Sequence, residues 1–387
     1  MKITKIAAFA LTSALVLTSC ADSETERISR LERIDVSDIM DTDIDCVSAE
    51  ELFSVEEYRL PSEITEKFIA PTAYFGDNFY FLSDGTVDIR YSGDVTVNSE
   101  ISVYNVKTGE YEILLSETPV QEEIKYSFAA ADEDYLWFFR VEAPISGTIG
   151  DFMYTFDDAA NPSQLYRMSL SDKTVEQLPF EEYGFPYRVS PCYGGFSYCV
   201  RGEEYREYYF YDLTTGETTL LPIWAQARFP VVYKNGWIYL DGEDRINGSD
   251  FAYRYYDKNG ETELFLTPEE RYSFAYSDGE NVFVVLVGNE LFDDVVEPQT
   301  VYMLDSDMNR KELAVFPHYC SDIYFSDSAA VMSVYVDSVY EKPTFIYDMK
   351  NGIFAYAGGT RQHLTDGSTV CTVIGGYNSY TLKIYSR

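Results

Sequence analysis

A seven-residue turn, Tyr211-Asp212-Leu213-Thr214-Thr215-Gly216-Glu217, recurs along this chain at a spacing that few folds can satisfy. It reads as the end of one strand, a tight reversal and the start of the next. The Asp212 carboxylate can accept a hydrogen bond from a backbone N–H two residues on. Gly216 suits a left-handed position where a Cβ would clash. Related segments are Tyr104–Glu110, Met168–Lys173, Tyr256–Glu261, Leu304–Asn309 and Tyr347–Gly352. Their second residues stand at 105, 169, 212, 257, 305 and 348, at intervals of 64, 43, 45, 48 and 43. Four of the five lie near 45, and the long one contains Glu142 to Asn161, which reads as an inserted loop.

A second motif precedes each turn: a polar reversal, then a strand that is usually aromatic. The copies are Gly76–Phe81, Asp132–Phe138, Tyr193–Tyr198, Lys234–Tyr239, Asp278–Phe283 and Ser326–Val331, with a seventh at Thr365–Val370. Each unit therefore holds about four strands. Four antiparallel strands in ~45 residues is the size of a β-propeller blade. A lone four-stranded sheet cannot bury both faces, whereas blades stacked in a ring shield one another. Trp237-Ile238-Tyr239-Leu240 is apolar on both faces, as expected of a sandwiched strand. The fold class is thus all-β, a β-propeller of seven four-stranded blades, with six or eight left open. The segment from Gln362 to Arg387 has room for three strands, and the missing fourth is expected from Leu52 to Leu60, closing the ring by pairing the chain ends. The competing architecture is a pair of β-sandwiches, which do not usually repeat at a fixed period.

The Asp-x-x-Thr-Gly-Glu turn, and the strands that follow Asn-Gly or Asp-Gly, resemble bacterial propeller repeats of the TolB-like and YWTD-like kind. The resemblance covers about residues 64–387. The Tyr-Trp-Thr-Asp motif itself is absent, and only Trp137, Trp224 and Trp237 are present. The resemblance implies a fold and no particular activity.

The N-terminus carries a processing signal. Lys2 and Lys5 form a charged start, and Ile6 to Leu17 form an apolar run too short to span a bilayer permanently. Leu17-Thr18-Ser19-Cys20 then resembles the lipobox of bacterial lipoproteins, which implies a diacylated Cys20 as first mature residue. Two acyl chains anchor stably where one does not. The expected organisation is a signal peptide at 1–19, an acidic tether at 20–45 and a propeller at 46–387. Within the tether, Ile28, Leu31, Ile34 and Ile39 have partial helical spacing, with Val36 off the pattern, so one short amphipathic helix is expected there. The expected location is the cell membrane, lipid-anchored, on the extracytoplasmic side.

Acidic residues outnumber basic ones 65 to 29, a formal charge of -36. Such a surface repels phosphate backbones and argues against a nucleic-acid partner. Histidine occurs twice, as His318 and His363, with no Gly-x-Ser-x-Gly elbow and no clustered His/Cys set for zinc. With Cys20 assigned to lipid, Cys46, Cys192, Cys199, Cys320 and Cys371 are an odd set, expected mainly as buried thiols. A two-residue turn at Gly194 would set Cys192 opposite Ser197, with Cys199 diagonal to it. Asp305-Ser306-Asp307-Met308-Asn309 has alternating oxygens but lacks the glycine and the glutamate of a calcium loop, so it reads as turn chemistry. No metal or cofactor is expected.

Two insertions could build a recognition surface: Glu142 to Asn161, with Phe152, Tyr154 and Phe156, and Gly288 to Gln299, with Phe292. Long insertions on a rigid scaffold commonly carry function. Aromatic and acidic content suits a sugar or a cationic partner. The expected function is a membrane-anchored, non-catalytic binding or scaffold module for a protein, peptide or glycan. The alternative is a carboxylate-based glycan hydrolase or lyase acting in the central pocket.

Overall fold

In a computed structural model, the described residues are 27–40, 44–66, 70–83, 86–88, 95–118, 122–144, 164–178, 186–192, 195–201, 206–221, 228–241, 251–267, 272–287, 298–320, 323–336, 341–375 and 379–387. They form an all-β β-propeller with six four-stranded antiparallel sheets and one wider sheet. In chain order, the first sheet comprises Ala73–Phe75, Asn78–Ser83, Ser99–Asn105 and Tyr111–Glu117, and the second Glu122–Ala131, Tyr135–Pro144, Gln164–Ser169 and Val175–Gln177. The third comprises Pro186–Cys192, Gly195–Arg201, Arg206–Asp212 and Thr218–Leu221. The fourth comprises Arg228–Tyr233, Gly236–Asp241, Phe251–Asp257 and Gly260–Thr267, and the fifth Tyr272–Ser277, Val282–Val287, Gln299–Leu304 and Arg310–Phe316. A small hairpin, Thr86–Asp88 with Val95–Val97, rises from the first sheet.

The wide sixth sheet has its first strand in two pieces, Tyr319–Cys320 and Tyr324–Ser326, followed by Ala329–Tyr335, Lys342–Asp348 and Ile353–Thr360. Cys46–Ser48 adds in parallel to Ile353–Thr360, and Arg33–Ile34 pairs with Cys46–Ser48. The seventh sheet comprises Gln362–Thr365, Val370–Ile374 and Thr381–Ser386, and Ser54–Arg59 lies antiparallel to the last of these.

The repeated turns form where the spacing places them, and the cause is local. Asp212 Oδ1 accepts the backbone N–H groups of Thr214 (2.7 Å) and Thr215 (3.0 Å), while Gly216 N–H donates to the Asp212 carbonyl. Asn105 and Asp348 do the same in their copies. Gly216 sits at φ 71°, and where the glycine is missing Lys173 and Met308 take that left-handed conformation at 62° and 66°. Asp305 Oδ1 accepts from the N–H groups of Asp307 and Asn309, so its alternating oxygens serve the turn.

Burial falls from the second strand of a sheet to the fourth. Val282, Phe283, Val284, Val285 and Leu286 in a second strand are all buried, whereas the fourth strand Val175–Gln177 is exposed throughout. First strands of neighbouring sheets lie against one another, as between the first and second sheets, the fourth and fifth, and the sixth and seventh. Their inner edges therefore face a shared axis. The sheets meet through shared apolar cores. Phe283, Phe316, Met332 and Phe345 join the fifth and sixth, and Tyr74, Phe79, Cys371 and Leu382 join the first and seventh. Burying each such side chain stabilises by about 1.5–3 kcal/mol. At the first–seventh seam, Tyr74 Oη donates to the Thr369 carbonyl (2.7 Å) and Gln362 Nε2 to the Pro71 carbonyl (3.1 Å).

Two local readings change. The stretch around Ile28 to Ile39 is not one helix: Arg33–Ile34 is a strand and Ser37–Met40 a single helical turn. Val36 and Met40 are buried, whereas Ile39 is exposed, because a strand pairing has displaced the helical period. The hairpin register sets Cys192 opposite Gly195, Ser197 opposite Ser190 and Cys199 opposite Arg188, not Cys192 opposite Ser197. Four residues of register, about 13 Å, separate the two cysteine positions along the hairpin, beyond the reach of a disulfide. Cys46, Cys320 and Cys371 are buried and in no disulfide, and burial pushes the Cys371 thiol well above the ordinary range.

Candidate functional site

The topology sorts every connection to one of two rims. In an antiparallel four-stranded sheet, the first–second and third–fourth reversals lie at one end, and the second–third and sheet-to-sheet connections lie at the other. At the first rim the reversals run from two to five residues, such as 234–235, 327–328 and 349–352. Adjacent reversals touch there: Lys234 N–H donates to the Gly279 carbonyl, and Asp327 N–H to the Gly367 carbonyl (both 2.7 Å). At the opposite rim the connections are uneven, from the single residue 361 to spans such as 145–163, 242–250 and 288–298. Function on propellers and other rigid scaffolds is carried by such connections.

Phe152, Tyr154, Phe156 and Phe292 lie outside the described residues, as does Cys20. What the described residues show is an aromatic cluster on the inner edge that the sequence reading missed. Tyr319 and Tyr324, on the two pieces of the sixth sheet's first strand, are 37% and 39% exposed, and Tyr335 on its second strand is 44% exposed. Their grouping, more than their exposure, sets them apart from single exposed apolar residues. Tyr319 and Tyr335 face each other across the ladder, with ring centroids 5.4 Å apart. Phe274, from the first strand of the fifth sheet, meets the Tyr319 ring edge-on at 6.4 Å. Lys342 Nζ sits 3.5 Å from the Tyr335 ring centroid, a cation–π contact in an otherwise acidic chain.

A buried polar chain underlies the cluster. His363 Nδ1 is 2.8 Å from Ser333 Oγ, which is 2.6 Å from Thr344 Oγ1, itself 2.6 Å from Thr360 Oγ1. The Tyr324 ring stands edge-on to His363 at 5.1 Å. The chain crosses from the sixth sheet to the seventh and fixes Tyr324 from behind. Ser333, Thr344 and Thr360 are buried and hydrogen-bonded to one another, so Ser333 is a structural partner of the imidazole and not an exposed nucleophile. Cys320 N–H donates to the buried Gln299 Oε1 (2.9 Å), which ties the first strand of the sixth sheet to the fifth just beside Tyr319. A second seam at this rim joins the first two sheets, where Glu117 accepts from Tyr126 Oη (2.6 Å) and Arg140 Nε (2.7 Å). Among the described residues there is no group of three or more His, Cys, Asp or Glu placed to hold a metal ion. His318, at the junction of the fifth and sixth sheets, has its Nε2 buried without a hydrogen-bond partner among the described residues.

The signal that could have found the cluster was faint. Tyr319, Tyr324 and Tyr335 are three of 35 tyrosines, and each sits in a strand that reads like its neighbours.

No family model and no curated protein matches the chain. Solved structures do. The β-propeller domain of the Trilobed protease from Pyrococcus furiosus aligns at a TM-score of 0.51 and 10% identity, over 81% of this chain and 91% of that one. The uncomplexed acylaminoacyl peptidase of Pyrococcus horikoshii aligns at 0.51 and 9% identity, over 84% of this chain and 53% of that one. TolB from Acinetobacter baumannii aligns at only 0.39 and 12% identity, over 80% of each. Likeness at these identities establishes the β-propeller fold and leaves activity open.

Proposed function

We propose that this chain is an exported lipoprotein, acylated at Cys20, whose propeller is a non-catalytic binding module for a protein, peptide or glycan on the extracytoplasmic side of the membrane. The propeller is read as a closed ring of seven blades. Contacts between the first and seventh sheets support this, as does the pairing of Ser54–Arg59 with Thr381–Ser386. The recognition face is the rim of long connections together with the inner-edge aromatics. The observation that carries the reading is the exposure of Tyr319, Tyr324 and Tyr335, with Tyr324 backed by the buried chain of His363, Ser333, Thr344 and Thr360. Exposed tyrosine rings offer large contact area at low entropic cost and accept sugar faces as well as peptide side chains.

The test uses protein lacking residues 1–20, screened against glycans and against envelope protein fractions for both retention and turnover. Retention without turnover, lost at least tenfold in Tyr319→Ala/Tyr335→Ala, about 1.4 kcal/mol or more, is the expected result. Turnover abolished by a single carboxylate substitution would establish the hydrolase or lyase reading instead.

A further inference from the structure

Exposure and contact coincide at one tyrosine pair. Among the described residues, Tyr111, Tyr319, Tyr324 and Tyr335 are the exposed tyrosines. Tyr111 lies on the outer edge of the first sheet, where its hydroxyl donates to Ser102 Oγ. Tyr324 stands opposite Val331, four positions along the second strand from Tyr335, or about 13 Å. Tyr319 and Tyr335 are register partners, with ring centroids 5.4 Å apart and ring planes inclined at 58°. Cross-strand partners hold their Cβ atoms about 5 Å apart. The two rings therefore stay within reach of each other while exposed side chains change rotamer on the picosecond to nanosecond scale. Tyr198 and Tyr209 are equally close, but both are buried.

Two phenols that touch each other and meet solvent suit one chemistry, oxidative coupling. We infer that Tyr319 and Tyr335 are a site of dityrosine formation, with hydrogen peroxide and a haem peroxidase, a one-electron oxidant of phenols, as co-reactants. Each phenol gives up one electron and one proton and becomes a phenoxyl radical. The two radicals join through a bond between ring carbons ortho to the hydroxyls. The hydrogens on those carbons then shift to the oxygens and restore both phenols. The chain loses two electrons and two protons, and the peroxide takes them up and leaves as two waters.

The neighbouring groups leave this reaction open. Cys320, next along the strand, points to the opposite face and is buried in the core with Phe316, Val334 and Phe345, so its thiol does not lie between the two rings. Lys342 Nζ sits over a face of the Tyr335 ring and not at its edge, where the ortho carbons are. The piece Tyr319–Cys320 is held by two register pairs and by the hydrogen bond from Cys320 N–H to Gln299. A carbon–carbon bond would fix it covalently to the second strand. The site depends neither on acylation of Cys20 nor on any ligand.

The experiment treats the dilute full-length chain with a haem peroxidase and limiting hydrogen peroxide, then isolates the monomer. Cleavage before aspartate places Tyr319, Tyr324 and Tyr335 on separate peptides, because Asp322 and Asp327 stand between them. Mass spectrometry should find the peptides of Tyr319 and Tyr335 joined, two hydrogens lighter than their sum, with dityrosine fluorescence. The joined product should fall at least tenfold in Tyr319→Phe and persist in Tyr324→Phe. It should also fall at least tenfold when the unsubstituted chain is oxidised in urea, where the strands no longer hold the rings together. Unjoined peptides of Tyr319 and Tyr335 from the peroxidase-treated monomer, joining of either to Tyr324 instead, or an equal yield in urea would overturn the assignment.

Discussion

The two rims of this molecule are built from one set of strands and obey different rules. At the tight-turn rim backbone N–H groups of one reversal after another have a local partner, and the side chains that supply it are short acids and amides at fixed offsets. Asp132, Asp278 and Asp366 each accept two backbone N–H groups within their reversals, as Asp212 and Asp348 do in theirs. At the long-connection rim no such rule repeats. Partners there are particular to each seam, as with Glu117 between Tyr126 and Arg140 or Gln299 beneath Cys320. One rim holds the sheets in register, and the other is free to vary. A propeller can change its ligand without changing its fold because the two tasks sit at opposite ends of the same strands.

The sharpest way to break this contrast is at Asp348. It is 1% exposed, caps its turn and accepts a hydrogen bond from Arg387 Nη1 at 2.8 Å. Asp348→Ala removes the cap and strands part of a buried ion pair, so it should cost about 3 kcal/mol in urea unfolding. A loss under about 1 kcal/mol would mean that this rim does not carry the stability assigned to it.

Alkali tests the strands between the rims. Burial pushes the Tyr80 hydroxyl up to about 12, and Tyr74 and Tyr126 are raised in the same direction, first by burial. The folded state holds these protons more tightly than the unfolded chain. Their stabilisation is therefore complete below about pH 10 and is lost as the pH rises toward 12, with Tyr80 alone contributing about 2–3 kcal/mol. Tyrosinate absorbance followed together with circular dichroism should show ionisation and unfolding as one transition. Ionisation of all the tyrosines well before unfolding would show that they are not shielded.

The smallest effect is expected at the other rim. Replacing residues 145–163 with a short Gly-Ser turn should change the unfolding free energy by no more than about 1 kcal/mol, since closure entropy varies slowly with length. A larger loss would show that this connection also holds the sheets together.

Much of the fold was legible because its causes are local. A carboxylate two residues before an N–H makes the same turn wherever it stands, so a period near 45 could be read from Asp212 and its copies. Strand membership followed, down to the sandwiched Gly236–Asp241. The N-terminal segment was read less well. The helical spacing of Ile28 to Ile39 was outweighed by a pairing with Cys46–Ser48, a partner that exists only once Ile353–Thr360 has formed beside it. The candidate site was not legible at all. Alternation along Tyr319 to Tyr335 says which residues share a face, but not which face a neighbouring sheet leaves open.

By itself, then, the sequence determined the turns, the repeat and the strands, all of which depend on residues within a few positions of one another. Only the tertiary structure decided which tyrosines stay uncovered, how His363 and Ser333 meet, and where residues 27–40 pack. Those outcomes depend on contacts between residues up to hundreds of positions apart, and no local spacing encodes the distance at which two sheets come to rest.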